Sequence, residues 1–130
     1  MASESNSAGF SRQIFWDLAN KGAAKMDRTD AINVAKQYAS VIKTTFDCKQ
    51  IFLFGSYAKG TNHEESDIDI AVILKEFENP MEIQLELMRL RRKIDSRIEP
   101  HPFREKDFNI TNPVVNEILK HGQRIDAGPT

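Results

Sequence analysis

Apolar residues recur along this chain with two different periods, and the places where one gives way to the other divide it into short helices and strands. From Thr29 to Phe46, Ile32, Ala35, Ala39 and Ile42 fall on one broad stripe with Tyr38, Val41 and Phe46, the spacing of an amphipathic helix packed on a sheet. Asp27 or Thr29 is positioned to cap it. The run Gln50 to Phe54, ended by Gly55-Ser56, reads as a buried strand that turns sharply into a helical turn, and a second strand follows from Ser66 to Leu74. Pro80 suits the first position of a helix over Met81 to Ile94. Ile94 to Phe103 is a proline-interrupted strand at or near a sheet edge. Asn112-Pro113 opens a last helix through Lys120-His121, with Gly122 as its left-handed terminator and Gln123 to Ile125 as a closing strand. This order predicts an α/β (α+β) sandwich, a small mixed sheet with helices packed on one face.

Upstream, residues 1 to 9 are Ser-, Ala- and Asn-rich without an apolar pattern and are expected to be disordered or foreign to the natural chain. Ser11 to Asn20 carries Ile14, Phe15 and Leu18 at helical spacing, a short accessory helix with Ser11 as its cap. The domain is therefore expected over residues 27–126, after a tail over 1–26 and before another over 127–130.

Composition narrows the function classes. The length of 130 residues suits one domain, and 40% hydrophobic with 28% charged residues is ordinary for a globular chain. A single cysteine, Cys48, excludes an internal disulfide and leaves no zinc-spaced Cys/His cluster, so a reducing, cytoplasmic setting is expected. No export signal or membrane-length apolar run is visible. A formal net charge of −1 removes the electrostatic drive for bulk nucleic-acid binding. Locally the charge is uneven, with seven basic residues against three acidic ones between Arg89 and Lys106. Such a run is more often a solvated helix face than an anion patch.

The chemistry is concentrated in residues 55 to 72. Gly55 lets backbone approach an anion, and Ser56 adds a hydroxyl where strand gives way to helical turn. Side chains alternate along a strand, so Asp67 and Asp69 share one face while Ile68, Ile70 and Val72 enter the core. Paired carboxylates suit Mg²⁺, which completes its shell with substrate phosphates and water, and two such ions can serve phosphoryl transfer. Taken singly, Ser56 and Asp67 are ordinary turn residues. Jointly, Gly-Ser followed after ten residues by Asp-x-Asp at a strand onset arises by chance in roughly one of several hundred chains this long, given average residue frequencies.

Gly55, Ser56, Ala58, Gly60, Ser66, Asp67, Asp69 and Val72 together resemble the signature of the minimal nucleotidyltransferases, the smallest members of the DNA polymerase β superfamily, and Lys59 stands where many members carry a basic residue. The likeness runs more weakly through Glu99 and through the Asn112 to Gly122 segment. It implies a nucleotidyltransferase domain over 27–126 that moves a nucleoside monophosphate from a triphosphate to an acceptor hydroxyl with two Mg²⁺ ions. Asp67, Asp69 and a third carboxylate would hold the metal and perform catalysis, while Gly55, Ser56 and Lys59 would bind the nucleotide. The family usually has Asp at the third position; here Glu99 and Asp95 compete, and Glu99 is preferred because it sits in strand-like surroundings. His101 would share its face, as a donor to the site or, the reading favoured, as a surface histidine. The resemblance also implies an acceptor supplied by a small helical HEPN-type partner or across a homodimer, with the chain acting as an antitoxin. Two other readings stand beside the enzyme. One is a non-catalytic antitoxin or interaction module that retains the fold; the other is a nucleic-acid-binding domain, which the charge and the few aromatics disfavour.

Overall fold

A computed structural model describes residues 26–125, so the expected Ser11 to Asn20 helix and both tails lie outside the described residues. The chain folds as α1 (Arg28–Thr45), β1 (Cys48–Phe54), α2 (Ser56–Lys59), β2 (Ile68–Leu74), α3 (Pro80–Leu90), β3 (Ile98–Arg104), α4 (Pro113–His121) and β4 (Gln123–Arg124). Single 3₁₀ turns at Arg91–Lys93 and Glu105–Asp107 flank β3. The sheet order is β3-β2-β1-β4, with β1 antiparallel to both β2 and β4, and β2 parallel to β3. A mixed sheet with packed helices was expected, and it is what forms.

Local chemistry explains the boundaries. Asp27, one of the two expected caps, starts α1 through a capping box with Asp30, each side chain accepting from the other residue's backbone N–H. Asn79 caps α3 and Asn112 caps α4, each followed by the proline that a first helical position tolerates. The α-helical part of the third helix stops at Leu90, short of the expected Ile94, as Arg91 to Lys93 tighten into 3₁₀ geometry. The strand accordingly begins at Ile98, after a turn in which Asp95 takes the Arg97 N–H.

The expectation of helices on one face requires correction. One face of the sheet, carrying Ile51, Leu53, Ile70, Val72 and Ile98, is buried under α1 and by Leu87 of α3. The opposite face is also apolar at Phe52, Phe54, Ala71 and Ile73, and Ile118 of α4 packs there with Phe103 and Phe108. Both alternating sets of β1 are hydrophobic, so both faces need cover. The part of this second face left beside α4 is where Asp69 and Glu99 emerge.

Gly122 is the second correction. Its backbone is extended, with φ −76° and ψ 160°, because the chain passes from α4 directly into β4. Glycine stands there for space: a Cβ would lie 2.4 Å from the Ile118 carbonyl oxygen and 3.2 Å from that of Leu53.

β3 occupies a sheet edge, as its prolines imply. The carbonyls of Ile98 and Pro100 point outward, accepting from Arg91 Nη1 at 2.8 Å and Gln84 Nε2 at 3.0 Å. Residues 98, 100 and 102 therefore carry the outward-facing backbone positions, where a proline removes no hydrogen bond to β2 and blunts the edge.

Tyr38 joins the first layer. Its hydroxyl, fully buried, donates to the Leu87 carbonyl at 2.7 Å, and burial pushes its pKa up. Tyr38→Phe is expected to cost about 1 kcal/mol, the usual net worth of one such bond, read as a lower urea midpoint at unchanged slope.

Candidate active site

The site begins where β1 ends. Gly55 adopts φ 76° and ψ −152°, a conformation open to glycine, and Ser56 opens the single turn of α2, which Gly60 closes at φ 79°. A Cβ on Gly55 would lie 2.3 Å from Asp69 Oδ2. The Asp69 carboxylate thus fills the space that any other residue at position 55 would claim.

The loop that follows is tied down before it reaches the carboxylates. Thr61 N–H donates to the Ser56 carbonyl, and Asn62 Nδ2 donates to the Met26 carbonyl at 3.3 Å. Ser66 is buried, with Oγ accepting from His63 N–H at 2.9 Å while its own N–H donates to the His63 carbonyl. This turn delivers Asp67, exposed, one residue ahead of β2. His63 stays a loop residue, its Nδ1 accepting from Glu65 N–H.

Asp69 pairs in register with Phe54 on one side and with Glu99 on the other. Residues opposite one another in adjacent strands face the same way, so Asp69 and Glu99 stand side by side, both half-buried, on the face that bears Phe54. Asp95 is engaged elsewhere. Its oxygens accept from Arg97 N, Nε and Nη2 at 2.8, 3.1 and 2.9 Å, and this pairing raises the Arg97 pKa.

His101 is not the surface histidine the sequence favours. Its Nε2 lies 3.1 Å from Asp69 Oδ1, and its ring meets Phe54 edge-on with centroids 5.0 Å apart. Ala71, its partner on β2, is small enough to leave the imidazole room to lean toward Asp69. The signal was present in the i, i+2 spacing from Glu99. Lys59 is also drawn into a contact, its ammonium 2.5 Å from Glu117 Oε2 on α4, which holds the Glu117 carboxyl below the ordinary glutamate range. No local pattern could have announced Glu117, because tertiary folding alone brings α4 to the loop.

The basic run from Arg89 to Lys106 is largely occupied within the fold. Arg91 holds the Ile98 carbonyl and Arg97 holds Asp95; Arg104 lies over the Phe77 ring and donates to the Phe77 carbonyl. Arg89 pairs with Glu86, and Lys106 reaches Glu76. The run is therefore mainly structural.

Among the described residues no group of three or more His, Cys, Asp or Glu closes into a ready-made metal cage. The donor set nevertheless fits Mg²⁺, which typically takes one or two carboxylates and completes its shell with phosphate and water oxygens. Asp69 and Glu99 present such oxygens on one face, with Asp69 lodged against a glycine whose missing side chain leaves room for its carboxylate. Also among the described residues, no helix is long and apolar enough to cross a membrane.

Comparison with known proteins agrees with this geometry. The model of the polymerase beta nucleotidyltransferase family matches residues 36–125, a span that includes the Gly55 turn and both strand-borne carboxylates. A Methanocaldococcus jannaschii protein, MJ0141, provisionally named a protein adenylyltransferase, is 29% identical over 101 residues, 74% of this chain and 99% of its own. A second from the same organism, MJ1379, with the same provisional name, is 40% identical over 62 residues, 47% of this chain and 62% of its own. Among solved structures, a chain from a toxin–antitoxin crystal structure with AMP-PNP superposes with a TM-score of 0.54 at 26% identity, covering 71% of each chain. The strand–glycine–serine turn, the carboxylates it faces and the matched span make this chain a member of the polymerase beta nucleotidyltransferase family, of its minimal type.

Proposed function

We propose that the protein transfers AMP from ATP to a hydroxyl on a protein partner, with divalent cations, Mg²⁺ in the cell, held at Asp67, Asp69 and Glu99. The observation that carries this reading is the in-register pair Asp69 and Glu99 beside a positive-φ Gly55. The choice of adenylyl rests on the provisional names of the two archaeal relatives and on the AMP-PNP of the similar structure. A protein acceptor is supported by the same names, and a HEPN-type helical partner by the family resemblance and the toxin–antitoxin setting of that structure.

In this mechanism Gly55 backbone and the Ser56 hydroxyl receive the triphosphate, and Lys59 leaves Glu117 to meet it. Bound Mg²⁺ would neutralise phosphate charge and ease loss of pyrophosphate. The acceptor oxygen forms its bond to the α-phosphorus as the bond to pyrophosphate breaks, and Glu99 takes the hydroxyl proton as general base. Asp67 and Asp69 keep the triphosphate in line, so much of the acceleration comes from positioning.

Labelled ATP, GTP, CTP and UTP, incubated with the protein and the product of its neighbouring gene, test the proposal directly. Covalent label from ATP on the partner is the expected result; label from another triphosphate would change the base assignment. Binding is tested separately by thermal shift. Mg²⁺-ATP is expected to raise the Tm by mass action, by about 2.7 kcal/mol of stability at a hundredfold excess over Kd. The double variant Asp67→Asn/Asp69→Asn is expected to abolish that rise, and a variant that responds like the wild type would move the metal site elsewhere.

A further inference from the structure

The Asp69 carboxylate is gripped from two sides. On one, Oδ2 lies against Gly55, in the place of an absent Cβ; on the other, Oδ1 lies 3.1 Å from His101 Nε2. A carboxylate only accepts hydrogen bonds, so Nε2 is the ring nitrogen that bears the proton in this contact. His101 is itself fixed. It sits on β3 two residues beyond Glu99, its ring braced edge-on by Phe54 and its β2 neighbour reduced to Ala71. With 35% of its side chain exposed, it stands at the rim of the same face.

We infer that His101 is a positioning residue for Asp69: its Nε2–H holds Oδ1, which leaves Oδ2, turned toward the Gly55 loop, as the oxygen offered to a divalent cation. This rests on the nucleotidyltransferase reading and adds a residue to it. Without the donor, Asp69 can rotate about its terminal torsion, and its two oxygens exchange between loop and solvent. Cation binding then carries the entropy of ordering the carboxylate, whereas in the wild type folding has already ordered it.

The test uses Mn²⁺ as a spectroscopic probe, with binding to the full chain followed by electron paramagnetic resonance, alone and with ATP. His101→Phe keeps the ring and its contact with Phe54 but loses the N–H. His101→Gln keeps a donor at nearly the reach of Nε2. The expected result is that His101→Phe weakens Mn²⁺ binding about tenfold or more, the usual scale for losing a partner that orients a metal ligand. His101→Gln is expected to stay within about threefold of wild type, and both variants to melt within a few degrees of it. A His101→Phe protein that binds Mn²⁺ as the wild type does overturns the positioning role and leaves the nucleotidyltransferase reading intact. Equal losses in His101→Phe and His101→Gln also overturn it, since the donor would not be what matters. A wild type that binds no Mn²⁺, with or without ATP, overturns both. A metal-free measurement stands beside these: the ¹⁵N resonances of the His101 ring are expected to report a proton on Nε2 in the wild type and to shift in Asp69→Asn. Identical ring resonances in the two proteins would show that the contact does not exist in solution.

Discussion

Glu99→Gln is expected to lower adenylyl transfer at least about a hundredfold while leaving ATP affinity within about threefold, less than 1 kcal/mol. The asymmetry follows from the division of labour in the proposed site. Asp67, Asp69 and the loop at Gly55 face the triphosphate, whereas Glu99, on the neighbouring strand, is assigned the acceptor proton. Glutamine preserves size and strand fit but cannot act as the base. Asp95→Asn is the matched control. Its carboxylate is committed to the Arg97 backbone and guanidinium, so the change is expected to leave transfer and ATP affinity as they are, with a small loss of stability. Single-turnover transfer together with calorimetric ATP binding reads both quantities. Loss of transfer in Asp95→Asn with a normal Glu99→Gln would reassign the third carboxylate. If the wild type binds ATP and transfers nothing to any acceptor offered, the non-catalytic module becomes the better reading.

Gly55→Ala is expected to have the other large effect, with Gly60→Ala as its comparison. Gly60 is left-handed at ψ 16°, whereas Gly55, at ψ −152°, adds the larger backbone strain to its clash with Asp69. Both glycines have positive φ, 76° and 79°, so both substitutions carry backbone strain, of the order of 1–3 kcal/mol. At Gly60 nothing lies within 4 Å of the added Cβ, so strain is the whole cost. At Gly55 the methyl would arrive 2.3 Å from Asp69 Oδ2, and either the loop or the carboxylate must move. Gly55→Ala is therefore expected to lower the Tm further than Gly60→Ala and to lose the Mg²⁺-ATP stabilisation that Gly60→Ala retains. Equal Tm losses with ATP protection preserved in both would mean that Asp69 can yield at no cost to the site.

Most of the element order was legible along the chain because the controlling forces are local. The period of the apolar residues separates α1 from β1 and β2, and Asn79-Pro80 and Asn112-Pro113 start helices through their own cap geometry. The side chains of β2 alternate whatever lies beside it, so the burial of Ile68, Ile70 and Val72 on the face opposite Asp69 was legible from the sequence, whereas Asp67 lies one residue ahead of the strand. Proline placed β3 at an edge for a similarly local reason, the missing N–H. Other features depended on what folding brings from a distance. Gly122 looked like a left-handed helix terminator because glycine serves both conformational freedom and space, and only the nearness of the Leu53 and Ile118 carbonyls shows that space is its role. The contact of Lys59 with Glu117 required α4 to return across the second face of the sheet, which the apolar alternation of β1 permits but does not dictate. The placing of Glu99 and His101 beside Asp69 was set by the parallel register of β2 and β3, while Asp95, in the turn before the strand, is held by Arg97. Alternation along each strand says which residues share a face; register between strands, chosen by the packing of the whole sheet and its helices, decides which of them meet.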